Sequence, residues 1–309
     1  MTMKHHGESS RPNTEHQTVL LDETVGGLLL KAGDTAIDAT VGTGGHAEKI
    51  CTAIGKKGTL LALDLDQRSL ALSQERLKDA VSRVIYLKGN FKNIHSLAEE
   101  AGITSAEGIV FDLGWHSEQL ASGKGLSFAA DEPLLMTLGA PEERLYTAAD
   151  IIADWDEEEI ARIIRAYGEE RYAGRIARVI VETRKKRPIE TARELAEIIR
   201  SAVPAAYRRG RIDPATRTFQ ALRIAVNDEL GALEEAIASA LGLLSPHGRL
   251  AVISFHSLED RIVKRAFRTA EDEGRGIRIT KKPIVPEDAE RRRNPRARSA
   301  KLRIFERGD

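Results

Sequence analysis

The chain reads as an α/β protein whose sheet is interrupted by a helical insertion. Three observations predict this. Short apolar runs alternate with helix-like segments from residue 35 to residue 113, the pattern of a parallel sheet covered on both faces. From about residue 120 to residue 212 there is no convincing strand. The alternation then resumes at residue 248.

"TAIDAT", residues 35–40, is the first buried strand, and helix-like sequence follows from Gly45 to Ile54. "TLLALDL", 59–65, is the second strand, with a helical stretch over 67–80. "RVIYLKG", 83–89, is the third, followed by a helix over 93–101, and "EGIVFDL", 107–113, is the fourth. Then the rhythm changes. "SGKGLSFAADEPLL" is loop-like. Thr147 with Asp150, and Thr191 with Glu194, make capping-box patterns. Asp156 is positioned to cap a helix whose first turn carries Glu157, Glu158 and Glu159. "RYAGRIARVIVETRKK" has helical periodicity up to Pro188. Asp213 is an N-cap with Pro214 at the first helical position, opening a long helical stretch to Leu244. "GRLAVISF", 248–255, is the fifth strand, "SLEDRIVKRAF" a helix, and "SAKLRIFER" a late strand whose antiparallel placement is left open.

The expected organisation is a disordered leader over 1–15, an α/β core formed by 16–119 and 213–309, and an inserted helical substrate-recognition domain over 120–212. With 309 residues the chain can bury a large core. Charged residues are 30% and hydrophobic ones 41%, a soluble, globular balance. The N-terminus lacks the apolar centre of a signal peptide or membrane anchor. The single cysteine, Cys51, excludes an internal disulfide framework and a multi-thiolate zinc site. The eight histidines show no metal-ligand spacing, so no metal is expected. These features fit a cytoplasmic protein.

"DATVGTGGHA", residues 38–47, is the candidate ligand loop. Gly42, Gly44 and Ala47 satisfy G-x-G-x-x-[G/A], and Asp64 ends the second strand about twenty residues on. That is also a dinucleotide fingerprint, and a turn that merely needs glycine is the plainer alternative. Two further acids separate the cofactors. Asp38 ends the first strand and Asp112 ends the fourth, on the carboxyl edge where such sheets bind ligands. Carboxylates repel a pyrophosphate. They favour S-adenosylmethionine, which has no phosphate but carries sulfonium and ammonium cations, and whose ribose diol suits Asp64. An NAD-dependent oxidoreductase is disfavoured accordingly, and no hydride-transfer site is recognisable.

"HQTVLLDETVGGL", "DATVGTGGHA", "FDLGWHSEQL", "DPATRTFQALRIAVNDEL", "GRLAVISFHSLEDRIVK" and "NPRARSAKLRIFER" together resemble the ribosomal RNA small subunit methyltransferase H family across nearly the whole chain. The resemblance implies a class I S-adenosylmethionine-dependent methyltransferase, with a Rossmann-like sheet and an inserted all-helical domain. It implies methylation of the N4 amine of a cytidine in 16S rRNA of the small ribosomal subunit. It also implies cofactor contacts from Gly44, Gly45, His46, Asp64, Phe91, Asp112 and Gln119. Asp38 and Gly42 join them from the residue chemistry above.

Cytosine N4 is a weak nucleophile, so the chemistry requires alignment of the amine and an acceptor for its hydrogens. Asp112, or a backbone carbonyl beside it, is the candidate acceptor. His256 and Ser257 follow the fifth strand at the same edge and are candidates for base contact or proton acceptance. Trp115 is placed to stack on the base or to pack in the interior. Net charge is zero, yet basic residues gather at 184–187, at 207–211 with Arg217 and Arg223, and at 291–303, where seven basic residues occur with no acid. Such runs suit RNA phosphates. The expected partner is 16S rRNA within the small subunit, with no membrane and no metal. Monomer and homodimer are both open. The chain departs from the family pattern at Trp115, His116 and Glu118, at Leu135, Thr137 and Gly139, and at Asp213, in segments expected to face substrate. An RNA-binding assembly factor without activity therefore stays as an alternative reading.

Overall fold

A computed structural model describes residues 17–114, 123–128, 131–139 and 145–309. The expected leader lies outside this set, as do Trp115, His116, Glu118 and Gln119.

Seven strands form one sheet: β1 (Thr35–Asp38), β2 (Thr59–Asp64), β3 (Arg83–Lys88), β4 (Ala106–Asp112), β5 (Leu244–Ser254), β6 (Gly276–Arg278) and β7 (Lys301–Arg307). Their order across the sheet is β3-β2-β1-β4-β5-β7-β6. The first five run parallel, with β1 between β2 and β4. β7 is antiparallel to both β5 and β6. The order reverses beside β1, so β1 and β4 open a crevice at their carboxyl ends. This is the class I methyltransferase arrangement that the resemblance implies.

The strands read as unbroken apolar runs because both faces are covered. Successive side chains nevertheless go to opposite sides. Ile37, Ile109, Phe111, Leu250 and Val252 enter one buried cluster with α4 (Ile94–Glu100), α11 (Glu229–Leu243) and α12 (Ser257–Asp272). Ala36, Val110, Ala251 and Ile253 enter another, with α1 (Leu21–Leu28), α2 (Gly45–Ile54) and α3 (Gln67–Arg76).

A third cluster belongs to the helices that follow β4: α5 (Ala148–Asp154), α6 (Glu157–Gly168), α7 (Ala173–Arg184) and α8 (Ala192–Ala202). A short helix, α9 (Ala205–Arg208), comes next. The expected caps are formed. Thr147 with Asp150, Asp156 with Glu159 and Thr191 with Glu194 each make both bonds of a capping box. Asp213 accepts from the Ala215 N–H and opens α10 (Pro214–Asn227), which contributes Phe219, Leu222 and Val226 to this third cluster.

The structure differs from the sequence reading in several elements. The long stretch after Asp213 is two helices, broken where Asp228 takes φ 49°, a left-handed conformation that Asp tolerates better than most residues. The helix expected to reach residue 80 ends at Arg76. β5 begins four residues earlier than expected, at Leu244. α1 and the short edge strand β6 went unread. A small helix, α13 (Asp288–Arg293), and a 3-10 turn (Pro295–Ser299) carry the basic run that precedes β7.

That run is partly internal. Arg303 is buried and its Nε donates to Asp260 on α12 at 2.7 Å, while the Lys301 ammonium donates to the other carboxylate oxygen at 3.2 Å. Burial alone would raise the Asp260 carboxyl, but the two cations hold it below its ordinary value. Asp260→Ala leaves the Arg303 guanidinium buried without a counter-charge, and we expect it to cost about 3 kcal/mol or more. Urea unfolding measures this, and a loss near that of a surface ion pair would refute a buried role.

Candidate functional site

The carboxyl ends of β1, β2 and β4 open into a cleft of about 900 Å³, lined by Asp64, Phe91, Asp112, Asn227, Glu229 and Glu259 among others. A smaller cavity of about 520 Å³ adjoins it on the α2 side and has Thr18, His46, Phe255 and Arg296 in its wall. Thr40, Gly42, Asp112 and Gly114 belong to both.

The loop between β1 and α2 is shaped by close approach. Gly44 caps α2 with φ 84°, a region that side chains avoid. At Gly45 a Cβ would collide with Thr18 Oγ1, so the N-terminal segment lies directly on the loop. The Gly42 N–H donates to Asp64 Oδ2 at 2.9 Å, and the Asp66 N–H to Asp64 Oδ1 at 2.8 Å. These bonds draw the loop onto the end of β2.

Three carboxyl groups converge here. Asp38 is 1% exposed; among the described residues its Oδ1 accepts the Thr40 N–H alone, at 3.2 Å, and its buried Oδ2 has no hydrogen-bond partner. Burial pushes its pKa to about 7; the Thr40 bond lowers it, and the charges of Asp112 and Asp64 raise it further. Burial likewise raises Asp64 to about 6, against the pull of the Asp66 and Gly42 N–H groups. The Asp112 N–H donates to Thr40 Oγ1 at 2.6 Å, tying β4 to the β1 loop. Asp112 Oδ2 lies 3.6 Å from His46 Nδ1. The other His46 nitrogen, Nε2, is 3.2 Å from the Val19 carbonyl. A carbonyl can only accept, so Nε2 carries a hydrogen. Burial pulls the His46 pKa down, which favours the neutral ring.

The far wall of the cleft is built by helix starts. His256 caps α12, accepting from the Glu259 N–H through Nδ1 at 3.4 Å. Glu259 Oε2 in return accepts the Phe255 and His256 N–H groups at 2.7 and 3.2 Å. His256 Nε2 lies 3.1 Å from Glu259 Oε1, without hydrogen-bond alignment. Glu229 completes a group of three potential ligand atoms within 4.8 Å of one another. Its carboxylate is already bound by Arg223 at 2.8 and 2.9 Å. Asn227 donates to the Met136 carbonyl and accepts from the Leu138 N–H, which fixes the 136–138 segment at the rim.

With this geometry in view, a family model described as the MraW methylase family matches residues 13–308. The chain belongs to the MraW methylase family. Two relatives carry the name Ribosomal RNA small subunit methyltransferase H. One, from Brevibacillus brevis, is 45% identical over 310 residues, covering 94% of this chain and 97% of its own. The other, from Symbiobacterium thermophilum, is 46% identical over 304 residues, covering 93% and 95%. A solved rRNA methylase from Streptococcus thermophilus superposes with a TM-score of 0.46 at 11% identity, covering 96% of this chain and 100% of that one.

Of the candidate site residues, Asp38, Gly42, Gly44, Gly45, His46, Asp64 and Asp112 converge on the loop. Phe91 opens a 3-10 turn at the cleft, edge-on to Phe111 with centroids 5.8 Å apart. His256 stands behind the far wall, beside Glu229 and Glu259, and does not itself line either cavity. Ser257 is directed elsewhere: its hydroxyl donates to Glu169, beyond the end of α6, at 2.5 Å. Gln119 lies outside the described residues. Sequence reading missed Thr40, Asn90, Asn227, Glu229, Glu259 and Arg296. The one available signal was at 256–259, polar residues at a helix start directly after a strand, whereas 227–229 sits inside a stretch of one helical periodicity.

Asp38 makes a prediction with a definite sign. Its folded pKa, about 7, lies above its ordinary value of 3.8. The stability this contributes is present below the ordinary value and is lost as pH rises through about 7. Asp38→Asn should flatten the decline in unfolding free energy over that window. Equal pH slopes in the two proteins would show that Asp38 titrates normally.

Proposed function

We propose that the chain transfers a methyl group from S-adenosylmethionine to the exocyclic N4 amine of a specific cytidine in 16S rRNA of the small ribosomal subunit. The observation that carries this reading is the acid-lined cleft at the carboxyl ends of β1, β2 and β4, in a chain of the MraW methylase family. The names of its relatives support the rRNA substrate. The residues fit the cofactor. Asp38 presents a buried, unpartnered carboxylate oxygen behind the loop, which suits a cationic ligand. Asp64 would hold the ribose, Phe91 would pack on the adenine, and the Gly44–His46 backbone would meet the methionine end, with Gln119 joining from the β4 loop.

When bound, the cofactor supplies an electrophilic methyl group. The protein orients the amine and accepts its hydrogens. Asp112, or the Leu113 carbonyl beside it, accepts from N4, so charge developing on nitrogen meets a fixed acceptor. His256 contacts the base or takes up the proton after transfer. In this reading Ser257 is a positioning residue, since its hydroxyl is bound to Glu169. We assign the helical unit over 120–212, packed with α10, to RNA recognition. Lys185, Lys186, Arg208, Arg209, Arg211, Arg292, Arg293 and Arg298 are exposed and available to phosphates. Arg184, Arg223, Lys301 and Arg303 are engaged by protein acceptors. Among the described residues no helix is long and apolar enough to cross a membrane. A cytoplasmic enzyme acting without a metal is the matching reading.

Methyl-labelled S-adenosylmethionine incubated with unmodified small subunits should place label in N4-methylcytidine at one position. Asp112→Asn should lower kcat/KM by on the order of 10²- to 10³-fold. Wild-type turnover in that variant would remove Asp112 from the mechanism, and label in another nucleoside would overturn the target. Cofactor affinity should also rise with pH as Asp64 and Asp38 ionise near about 6 and about 7, with proton release detectable by calorimetry. An affinity independent of pH across that range would mean that neither acid senses the cofactor's charge.

A further inference from the structure

The cavity on the α2 side has a polarity that the acids alone do not explain. Its wall is built by three separate pieces of chain: the β1–α2 loop, residues 17–19 of the N-terminal segment, and the turn that carries Arg296. These pieces are locked together. The buried Asn294 side chain donates to the Gln17 carbonyl at 2.9 Å and accepts from the Arg296 N–H at 3.2 Å. Glu290 accepts from the Leu20 N–H at 2.9 Å. Thr18 presses on Gly45, and Val19 holds His46. The backbone of the Arg296 turn is therefore held against the start of α2.

The Arg296 side chain lines the cavity and is only partly exposed. Among the described residues its guanidinium has no hydrogen-bonded or ion-paired protein partner. Burial works against its charge, and the one group that supports it is Asp112, across the same cavity. The other C-terminal arginines that are withdrawn from solvent have partners, among them Arg278 with Glu271, Arg291 with Asp288 and Arg303 with Asp260. A half-buried arginine in a cavity wall that also holds a carboxylate, with the start of α2 alongside, matches a zwitterion. The carboxylate Asp112 suits an ammonium. The guanidinium and the N–H groups opening α2 suit a carboxylate.

We propose that Arg296 binds the α-carboxylate at the amino-acid end of S-adenosylmethionine. This rests on the cofactor reading above. The smaller cavity then takes the amino-acid end, and the larger cleft, continuous with it through Thr40, Gly42, Asp112 and Gly114, takes the nucleoside and the target base. It also gives the C-terminal basic segment two jobs. Arg296 faces inward to the cofactor, whereas Arg292, Arg293 and Arg298 on the same stretch stay exposed.

The test compares two probes on the full chain by calorimetry. S-adenosylhomocysteine carries the amino-acid end, and 5′-methylthioadenosine lacks it. Arg296→Ala should weaken S-adenosylhomocysteine at least about tenfold, the loss expected for a charge-assisted bond, and leave 5′-methylthioadenosine within about twofold. Arg296→Lys should recover part of the loss. The unchanged probe also reports an intact fold. Equal weakening of both probes, or of neither, overturns the proposal. So does a variant with normal binding of both but a raised KM for RNA, which would make Arg296 a phosphate contact. A wild-type protein that binds neither probe would refute the cofactor reading itself, and a wild-type protein that binds both equally would refute the carboxylate site alone.

Discussion

Carboxyl groups brought together out of water are the constraint around which this site is built. Asp38, Asp64 and Asp112 end three neighbouring parallel strands, and burial works against ionisation at both Asp38 and Asp64. Asp64 is stabilised by N–H groups from the loop and from the start of α3's cap. Asp38 has one such bond for two oxygens, one of which has no partner. A nearly inaccessible carboxyl group left half-satisfied holds its proton more tightly, which is why its pKa stands at about 7. The Gly42 and Thr40 contacts, and the approach of Thr18 to Gly45, are what hold the acids in this arrangement.

The ends of the chain close the site. Residues 17–20 lie over α2 and are bound by Asn294 and Glu290. β7 joins the sheet antiparallel, which returns the chain toward the same carboxyl edge just before it enters the strand. The helical unit is attached at the opposite side of the cleft. Glu169, at the left-handed C-cap of α6, is bound by Ser257 and Arg261 of α12. Asn227 binds the 136–138 segment to the end of α10. Two sets of polar contacts, one from each flank, thus frame a cleft whose floor is the parallel sheet.

Much of the architecture was legible because local signals agree with the fold. The five parallel strands were apolar runs, and each expected capping box formed. Where reading failed, a tertiary cause is visible. The stretch 214–243 has one helical periodicity, yet Asp228 turns left-handed so that Asn227 can face the rim segment and Glu229 can start a new helix beside the cleft. α1 has two glycines near its end, and it packs in the core against β4, β5 and α2 despite weak helical propensity. The acids and glycines of the site were legible as residue types at strand ends. Glu259 and Arg296 were not, because each comes to the cleft from more than a hundred residues away. Ser257 shows the converse error. Proximity to a strand end placed it in the site, while its hydroxyl is turned to Glu169.

The departures from the family pattern acquire a physical meaning here. Leu135, Thr137 and Gly139 stand where charged residues were expected, on the segment clamped by Asn227. Thr137 is fully buried and its hydroxyl has no hydrogen-bond partner among the described residues. The Gly139 carbonyl is bound by Lys124, and Met136 holds φ 53°. The contacts that shape this wall are mostly backbone contacts, which do not depend on the side chains that differ. The wall therefore keeps its position while its charge changes. Leu138 is the residue it offers to the cleft. The rim is therefore neutral and partly apolar, while Asp64, Asp112, Glu229 and Glu259 supply the carboxyl groups of the remaining lining.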